Sequence, residues 1–334
     1  MFMRRRPPLN HLSFFVAHKS TTPRLCSKRR YTMAMTGPDA VVDFQNYLQK
    51  SNRVMCLLGA GLSAASGLPT FRGAGGLWRS HDAVSLATPE AFALDPALVW
   101  RFYCYRRKMA LSVQPNAAHF ALAELARRMP GFIALSQNVD HLSPRAGHPR
   151  ENLHLLHGTL FEVKCNDYRC GYVAENFDEP ISPALYIPDG QDPTSTEARA
   201  RDISDAAVPL PEIALEDLPH CPKCRKHLLR PNVVWFGEPL PGQVLNAIDQ
   251  YLEDGQKVDL IMVIGTAAVV YPAAGYIPLA REKGARVCVV NTDPNDSPPD
   301  GWQEGDWFFQ GDAAQFVPLL LKSVIGTLPP ATPT

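Results

Sequence analysis

A histidine, two pairs of cysteines, two polar strand ends and a Tyr/Arg pair are the residues of this chain whose types and spacing could do chemistry. His157 precedes Gly158 after the apolar run Leu153 to Leu156. A histidine titrates near neutrality and can serve as a general base. Cys165 and Cys170 enclose four residues, and Cys221 and Cys224 enclose two. Four thiolates in two knuckles suit a tetrahedral structural Zn²⁺ with no open position for catalysis. His220 and His227 stand close by, but the cysteines already satisfy the metal. Gly59-Ala60-Gly61 follows another apolar run. Its glycines permit a tight turn and close backbone approach to a pyrophosphate, held at the next helix N-terminus. The third glycine of the usual pattern is displaced to Gly67. Gln137-Asn138-Val139-Asp140-His141 supplies amides and a carboxylate, which suit a nicotinamide carboxamide and ribose hydroxyls. Tyr103 and Arg106 stand one helical turn apart and share a face. A phenol and a guanidinium projecting together make a carboxylate clamp.

Positioning these residues requires a buried parallel sheet. Val54 to Leu58, Phe132 to Leu135, Leu260 to Ile264, Val287 to Val290 and Trp307 to Phe309 are short apolar runs that end in Gly or polar residues. Continuous apolar runs separated by helical stretches predict an α/β fold with a Rossmann-like parallel sheet. Ala117 to Arg128 and Gln243 to Glu253 are the expected crossover helices. Ligands bind beyond the carboxyl ends of such strands, where every polar cluster lies. Leu77 to Val113 reads as helical without a strand, and Cys165 to Cys224 as irregular and rich in Pro, Asp and charge. Together they predict a small domain inserted into the first, a zinc module plus a helical module. The expected large domain covers about 40–76, 114–163 and 229–322. The small domain takes about 77–113 for its helical part and about 164–228 for its zinc part. Tyr186 to Pro219 reads as a long surface loop with no assigned chemistry, and 326–334 as a frayed tail.

The 334 residues are 46% hydrophobic and 20% charged, as in a globular body. Formal net charge is zero but unevenly spread. Met1 to Pro38 holds Arg4, Arg5, Arg6, Lys19, Arg24, Lys28, Arg29 and Arg30 and no acid. The remainder keeps 25 basic against 33 acidic residues, a net charge of −8. So acidic a body is ill suited to direct nucleic-acid binding through phosphates. The basic head reads as a mitochondrial transit peptide over 1–35, cleaved between Arg29 and Met35. Residues 36–325 form the expected catalytic domain. No run approaches the roughly 20 apolar residues of a membrane span. Four of the eight cysteines form the two close pairs and the others are scattered, which favours one metal site in a reducing compartment over disulfides.

The set resembles the sirtuins, NAD-dependent protein-lysine deacylases, over about residues 40 to 322. The resemblance rests on Gly59-Ala60-Gly61-Leu62-Ser63, Pro69-Thr70-Phe71-Arg72, Gln137 to Asp140, His157-Gly158, the paired cysteines, Gly265-Thr266 and Asn291. It implies that NAD contacts Gly59, Ala60, Gly61, Ser63, Ala64, Phe71, Arg72 and Trp78. It also implies contacts from Gln137, Asn138, Val139, Asp140, Gly265, Thr266, Ala267, Asn291, Thr292, Asp293 and Ala313. The mobile Gly-rich stretch around Phe71 and Arg72 would close over the cofactor. An acyl-lysine would enter between the domains, its carbonyl oxygen attacking C1′ of the nicotinamide ribose. His157 would then act as base on the ribose hydroxyl, and water would complete the release of lysine and 2′-O-acyl-ADP-ribose. Val234, Phe236 and Gly237 would pair with the substrate backbone as an added strand.

Ala87 with Tyr103 and Arg106 looks like class III, the desuccinylase, demalonylase and deglutarylase branch. The small Ala87 would leave room for a longer acyl chain. A buried acyl carboxylate needs a partner, which Arg106 and the Tyr103 hydroxyl would supply. An acetyl group would leave Arg106 desolvated. Three departures from the family stand out: the four-residue first knuckle, Ala267 in place of the usual serine, and Ala313 where class III members often have cysteine. Alternatives are a plain deacetylase or mono-ADP-ribosyltransferase of the same fold, or a non-catalytic NAD-binding scaffold. The expected partners are acylated lysines of mitochondrial proteins. The expected state is a monomer in the mitochondrial matrix, with a further cytosolic or nuclear pool as the alternative.

Overall fold

The computed structural model describes residues 15–16, 34–70, 77–187 and 203–328. Most of the basic head, Phe71 and Arg72, and residues 329–334 lie outside the described residues. A six-stranded sheet orders Trp307–Gln310, Arg286–Asn291, Leu260–Ile264, Val54–Leu58, Phe132–Ser136 and Leu153–Leu155 from edge to edge. All five pairings are parallel. Counting outward from Val54–Leu58, this is the doubly wound order of a dinucleotide-binding sheet.

The near-continuous apolar strands are explained by cover on both faces. Val54, Cys56, Leu58, Met262, Ile264, Cys288 and Val290 point to one face. There they meet the buried stripes of helices Pro38–Leu48, Ala117–Arg128 and Ala313–Ile325. Met55, Leu57, Ile261, Val263, Val287 and Val289 point to the other, against helices Gly242–Glu253 and Tyr276–Glu282. Met35 extends one edge: its N–H donates to the Asp306 carbonyl at 2.8 Å and its carbonyl accepts from Phe308 at 3.0 Å.

The small unit has its own core. Thr88 and Asp95 cap the helices Pro89–Leu94 and Pro96–Ser112, each with proline in the first turn. This Thr-Pro and Asp-Pro grammar starts two helices where one would otherwise run on. A three-stranded antiparallel sheet sets Gly158–Cys165 between Val173–Glu175 and Leu229–Val233. Leu160, Phe161, Val163, Leu229 and Val233 join the buried cluster of the helical module. Residues 158–163 and 229–233, grouped with the large domain from sequence, therefore share the small unit's core. Two further features differ from the sequence expectation. Leu153–Leu155 is an edge strand of the main sheet. Leu77–Trp78 and His81–Asp82 form a hairpin too short to leave a period in the sequence.

The long helix is locked by Arg107, which is fully buried. It donates to the carbonyls of Leu160 at 2.6 Å and Asp178 at 2.9 Å, and to Asn176 Oδ1 at 2.9 Å. On its outer side the helical module grips the loop that follows Tyr186. Arg79 donates to the carbonyls of Ile203, Ala206 and Val208, Lys108 to that of Ile187, and Arg101 to that of Pro211.

Candidate active site

The cofactor side of the site is built where the sheet order reverses, between the carboxyl ends of Val54–Leu58 and Leu260–Ile264. Gly59 N–H donates to the Ile264 carbonyl and Gly61 N–H to that of Gly265, both at 2.9 Å. A Cβ on Gly59 would lie 2.5 Å from the Thr266 Cβ and 2.7 Å from the Gly265 oxygen. Gly265 itself has φ +64° and backs onto the Gly61 main chain. Only glycine allows two strand-end loops to approach this closely. Ala60, Ser63 and Ala64 continue from the first loop in two short 3-10 turns, and Ala267 follows in the second. Asn291 bridges outward, its Nδ2 donating to the Thr266 carbonyl at 3.1 Å and to Asp296 at 2.7 Å. Thr292 N–H donates to Asn291 Oδ1 at 2.9 Å, and Asp293 caps the turn through Asn295. Ala313, buried, opens the last helix under the Asp312 cap. Trp78 is also buried, packed against Phe102 with ring centroids 5.6 Å apart. Phe71 and Arg72 lie outside the described residues.

Gln137 to Asp140 arrive from the neighbouring strand. Asn138 Nδ2 donates to the Gly59 carbonyl at 3.0 Å, and the Ser63 hydroxyl to Asp140 Oδ2 at 2.6 Å. Asp140 Oδ1 accepts from Leu142 N–H at 2.9 Å, and the Val139 carbonyl accepts from Leu160. A residue missed from sequence completes this set. His119 Nδ1 accepts from the Asn116 backbone at 3.2 Å, so Nε2 carries the proton and faces Ser63 Oγ at 3.4 Å. Burial holds His119 neutral. Its signal was Asn116 at the N-cap and histidine three residues on, the positions of a capping box.

His157 is buried, and its Nδ1 donates to the Gln137 carbonyl at 3.0 Å. In the neutral ring this places the basic lone pair on Nε2. Burial pushes its pKa down to about 4, against the opposing pull of that hydrogen bond. The imidazole is thus neutral at physiological pH, the form a base requires.

The expected acyl side pairs the long helix with the segment after Leu229–Val233. Tyr103 is fully buried, and its hydroxyl oxygen accepts from Trp235 Nε1 at 2.8 Å. Arg106, half-buried on the same face, has its guanidinium carbon 5.9 Å from the Tyr103 ring centroid. Burial depresses the Arg106 pKa and raises that of Tyr103. The Ala87 carbonyl accepts from Phe236 N–H at 2.9 Å, and Val234 N–H donates to the His157 carbonyl at 3.0 Å. Gly237 takes φ +88° in the turn that follows. Ala87, Tyr103, Val234, Phe236 and His157 are therefore stitched into one strip.

Cys165, Cys170, Cys221 and Cys224 place their sulfurs within 4.8 Å of one another. Cys165 lies 3.8 Å from Cys224, and Cys170 3.7 Å from Cys221. Zn–S bonds of about 2.3 Å require tetrahedral S···S edges of about 3.8 Å, so the cluster fits one structural zinc. The four-residue first knuckle preserves the site. His220 Nδ1 donates to the Leu218 carbonyl and His227 sits 3.6 Å from Asp167, apart from the cluster. The residues also fit a dinucleotide. Gln137 Nε2 is a buried donor with no partner among the described residues, beside a backbone cradle that any Cβ would fill.

The Sir2 family model matches residues 59–272. A Candida albicans NAD-dependent protein deacylase is 44% identical over 301 residues, covering 86% of this chain and 98% of the relative. The mitochondrial NAD-dependent protein deacylase sirtuin-5 of Canis lupus familiaris is 42% identical, covering 81% of each chain. A crystal structure of a Sir2 homologue–NAD complex superposes with a TM-score of 0.66 at 35% identity, covering 85% of this chain and 93% of that one. With the strand order, the glycine-packed switch point and the cysteine cluster already in place, these matches make the chain a member of the Sir2 family.

Proposed function

We propose that this protein is a class III sirtuin that removes negatively charged acyl groups, succinyl, malonyl or glutaryl, from lysine side chains. It is an NAD-dependent protein-lysine deacylase. Bound NAD supplies the electrophilic ribose carbon and carries the acyl group away as 2′-O-acyl-ADP-ribose, with nicotinamide released. Gly59 to Ala64, Gln137 to Asp140, Gly265 to Ala267, Asn291 to Asp293 and Ala313 would hold it. His157 Nε2 takes the proton of the ribose hydroxyl, and Nδ1 stays bonded to the Gln137 carbonyl. Asn138 and Asp140 orient the ribose and nicotinamide side. The peptide pairs along Val234 to Gly237.

The observation that carries the acyl preference is Tyr103 with Arg106, on one face of a helix whose neighbouring segment is hydrogen-bonded to His157. A carboxylate entering there meets a half-buried guanidinium, which binds it more tightly than a fully exposed one. Acetyl-lysine offers that cation no carboxylate to accept its hydrogen bonds. The test is nicotinamide release by purified protein with NAD and matched succinyl-lysine and acetyl-lysine peptides. A strong succinyl preference is expected, and equal rates or an acetyl preference would reject the clamp.

The basic head favours a mitochondrial transit peptide, and sirtuin-5 relatives are labelled mitochondrial. We therefore place the enzyme in the matrix, acting as a monomer on acylated mitochondrial proteins. Among the described residues no helix is long and apolar enough to cross a membrane.

A further inference from the structure

The Tyr103 hydroxyl is not held by its own helix but by Trp235, 132 residues away in sequence. An indole N–H only donates, so the Tyr103 oxygen must accept in this bond. A phenol hydrogen has two in-plane orientations. With one lone pair taken by the indole, that hydrogen is turned away from Trp235 and is available to an acceptor. A carboxylate, which accepts only, needs this orientation.

Trp235 is itself fixed from several sides. It is fully buried, and the Arg230 guanidinium lies 3.2 Å from its ring centroid. Arg230 grips Glu238 through two bonds of 2.6 and 2.9 Å, and donates to the Val233 carbonyl at 3.0 Å. Glu238 also accepts the Trp235 backbone N–H at 2.8 Å. Burial alone would raise the Glu238 pKa, but Arg230 outweighs it and keeps the carboxylate ionised. The next residue, Phe236, ties to the Ala87 carbonyl. Both proposed acyl-pocket residues outside Arg106 are thus fastened to this one segment.

We infer that Trp235 is a positioning residue for acyl selection, its indole N–H setting the Tyr103 hydroxyl to donate to the acyl carboxylate. The inference rests on the class III reading above and adds a specificity-determining residue to it. Trp235 does not touch the acyl group; it acts through Tyr103.

The test is W235F, which keeps a ring and deletes the donor, assayed with full-length protein, NAD, and succinyl-lysine and acetyl-lysine peptides. Losing one well-aligned bond to a charge-binding hydroxyl is expected to lower the succinyl-to-acetyl ratio of kcat/KM about tenfold. The loss should fall mainly on KM for the succinyl peptide. An equal fall on both substrates would overturn the inference, because a merely structural tryptophan damages both alike. An unchanged ratio would overturn it too. Should W235F unfold, a benzothienylalanine at position 235 preserves the bicycle without the donor and carries the same readout. R106M in parallel separates the two layers. Selectivity lost in R106M but kept in W235F rejects the tryptophan's role alone, and wild-type protein without succinyl preference rejects the class III reading beneath it.

Discussion

The cofactor side and the acyl side of this site are built by different means. The cofactor side is made mostly of main chain: glycine-packed loops at neighbouring strand ends, with Gly59, Gly61 and Gly265 in backbone contact. The acyl side is made of side chains meeting across sequence, Trp235 on Tyr103 and Arg230 on Trp235. Main-chain construction follows from topology and tolerates few residue types. Side-chain construction can be retuned one residue at a time. On the function proposed above, the contrast is that of a fixed reaction centre with an adjustable choice of substrate.

Three perturbations test this division. The largest effect is expected from His157→Tyr. Removing the base should cut turnover of succinyl and acetyl peptides alike by about a thousandfold or more, while NAD binding by calorimetry largely persists. Retained turnover on either substrate would show that proton removal belongs elsewhere. Arg106→Met comes next. It should lower succinyl-lysine kcat/KM by about a hundredfold and acetyl-lysine kcat/KM far less, read by nicotinamide release. Equal losses would place Arg106 in the common machinery and dissolve the division.

The smallest effect is a pH dependence of stability. Burial pushes His157 and His148 down to about 4 in the folded state, below the ordinary histidine value of about 6.5. Between those values the unfolded chain binds protons that the folded chain does not. Stability therefore rises with pH through this window and is lost as pH falls from about 6.5 toward 4. The melting temperature should fall steadily from pH 7 to pH 5, and a flat profile would mean that these rings are hydrated. Activity should show no loss near pH 6.5 from His157, since its ring stays neutral there.

The division also explains what could be read from the sequence. Val54–Leu58 and Leu260–Ile264 are apolar throughout because helices cover both faces, and that pattern survives in one dimension. The glycines and the cysteine knuckles were legible for the same reason: close backbone approach and thiolate ligation each demand one residue type. Trp235 was not. A tryptophan beside a strand end looks like core, and only the folded chain reveals that its N–H meets a phenol on another module. Arg106 and Arg107 are adjacent and alike in sequence, yet Arg107 is a fully buried strut on three acceptors and Arg106 is half-buried beside the Tyr103 ring. His119 hid behind an ordinary cap. The pairing of Gly158–Cys165 with Leu229–Val233 left no trace in the sequence, because 63 residues separate the two strands and they meet only in space.

The loop after Tyr186 is held by a one-sided grammar. Arg79, Arg101 and Lys108 supply every donor in those five contacts, and the loop answers only with main-chain carbonyls. A carbonyl is the same whatever residue carries it. The segment can therefore exchange its side chains without forfeiting any of these anchors, while the three cations on the helical module cannot be exchanged so freely. Among the described residues, Ile187, Ile203 and Ile213 add side-chain packing against the small unit's core, so the path is pinned by carbonyls at the cations and by apolar side chains at the core.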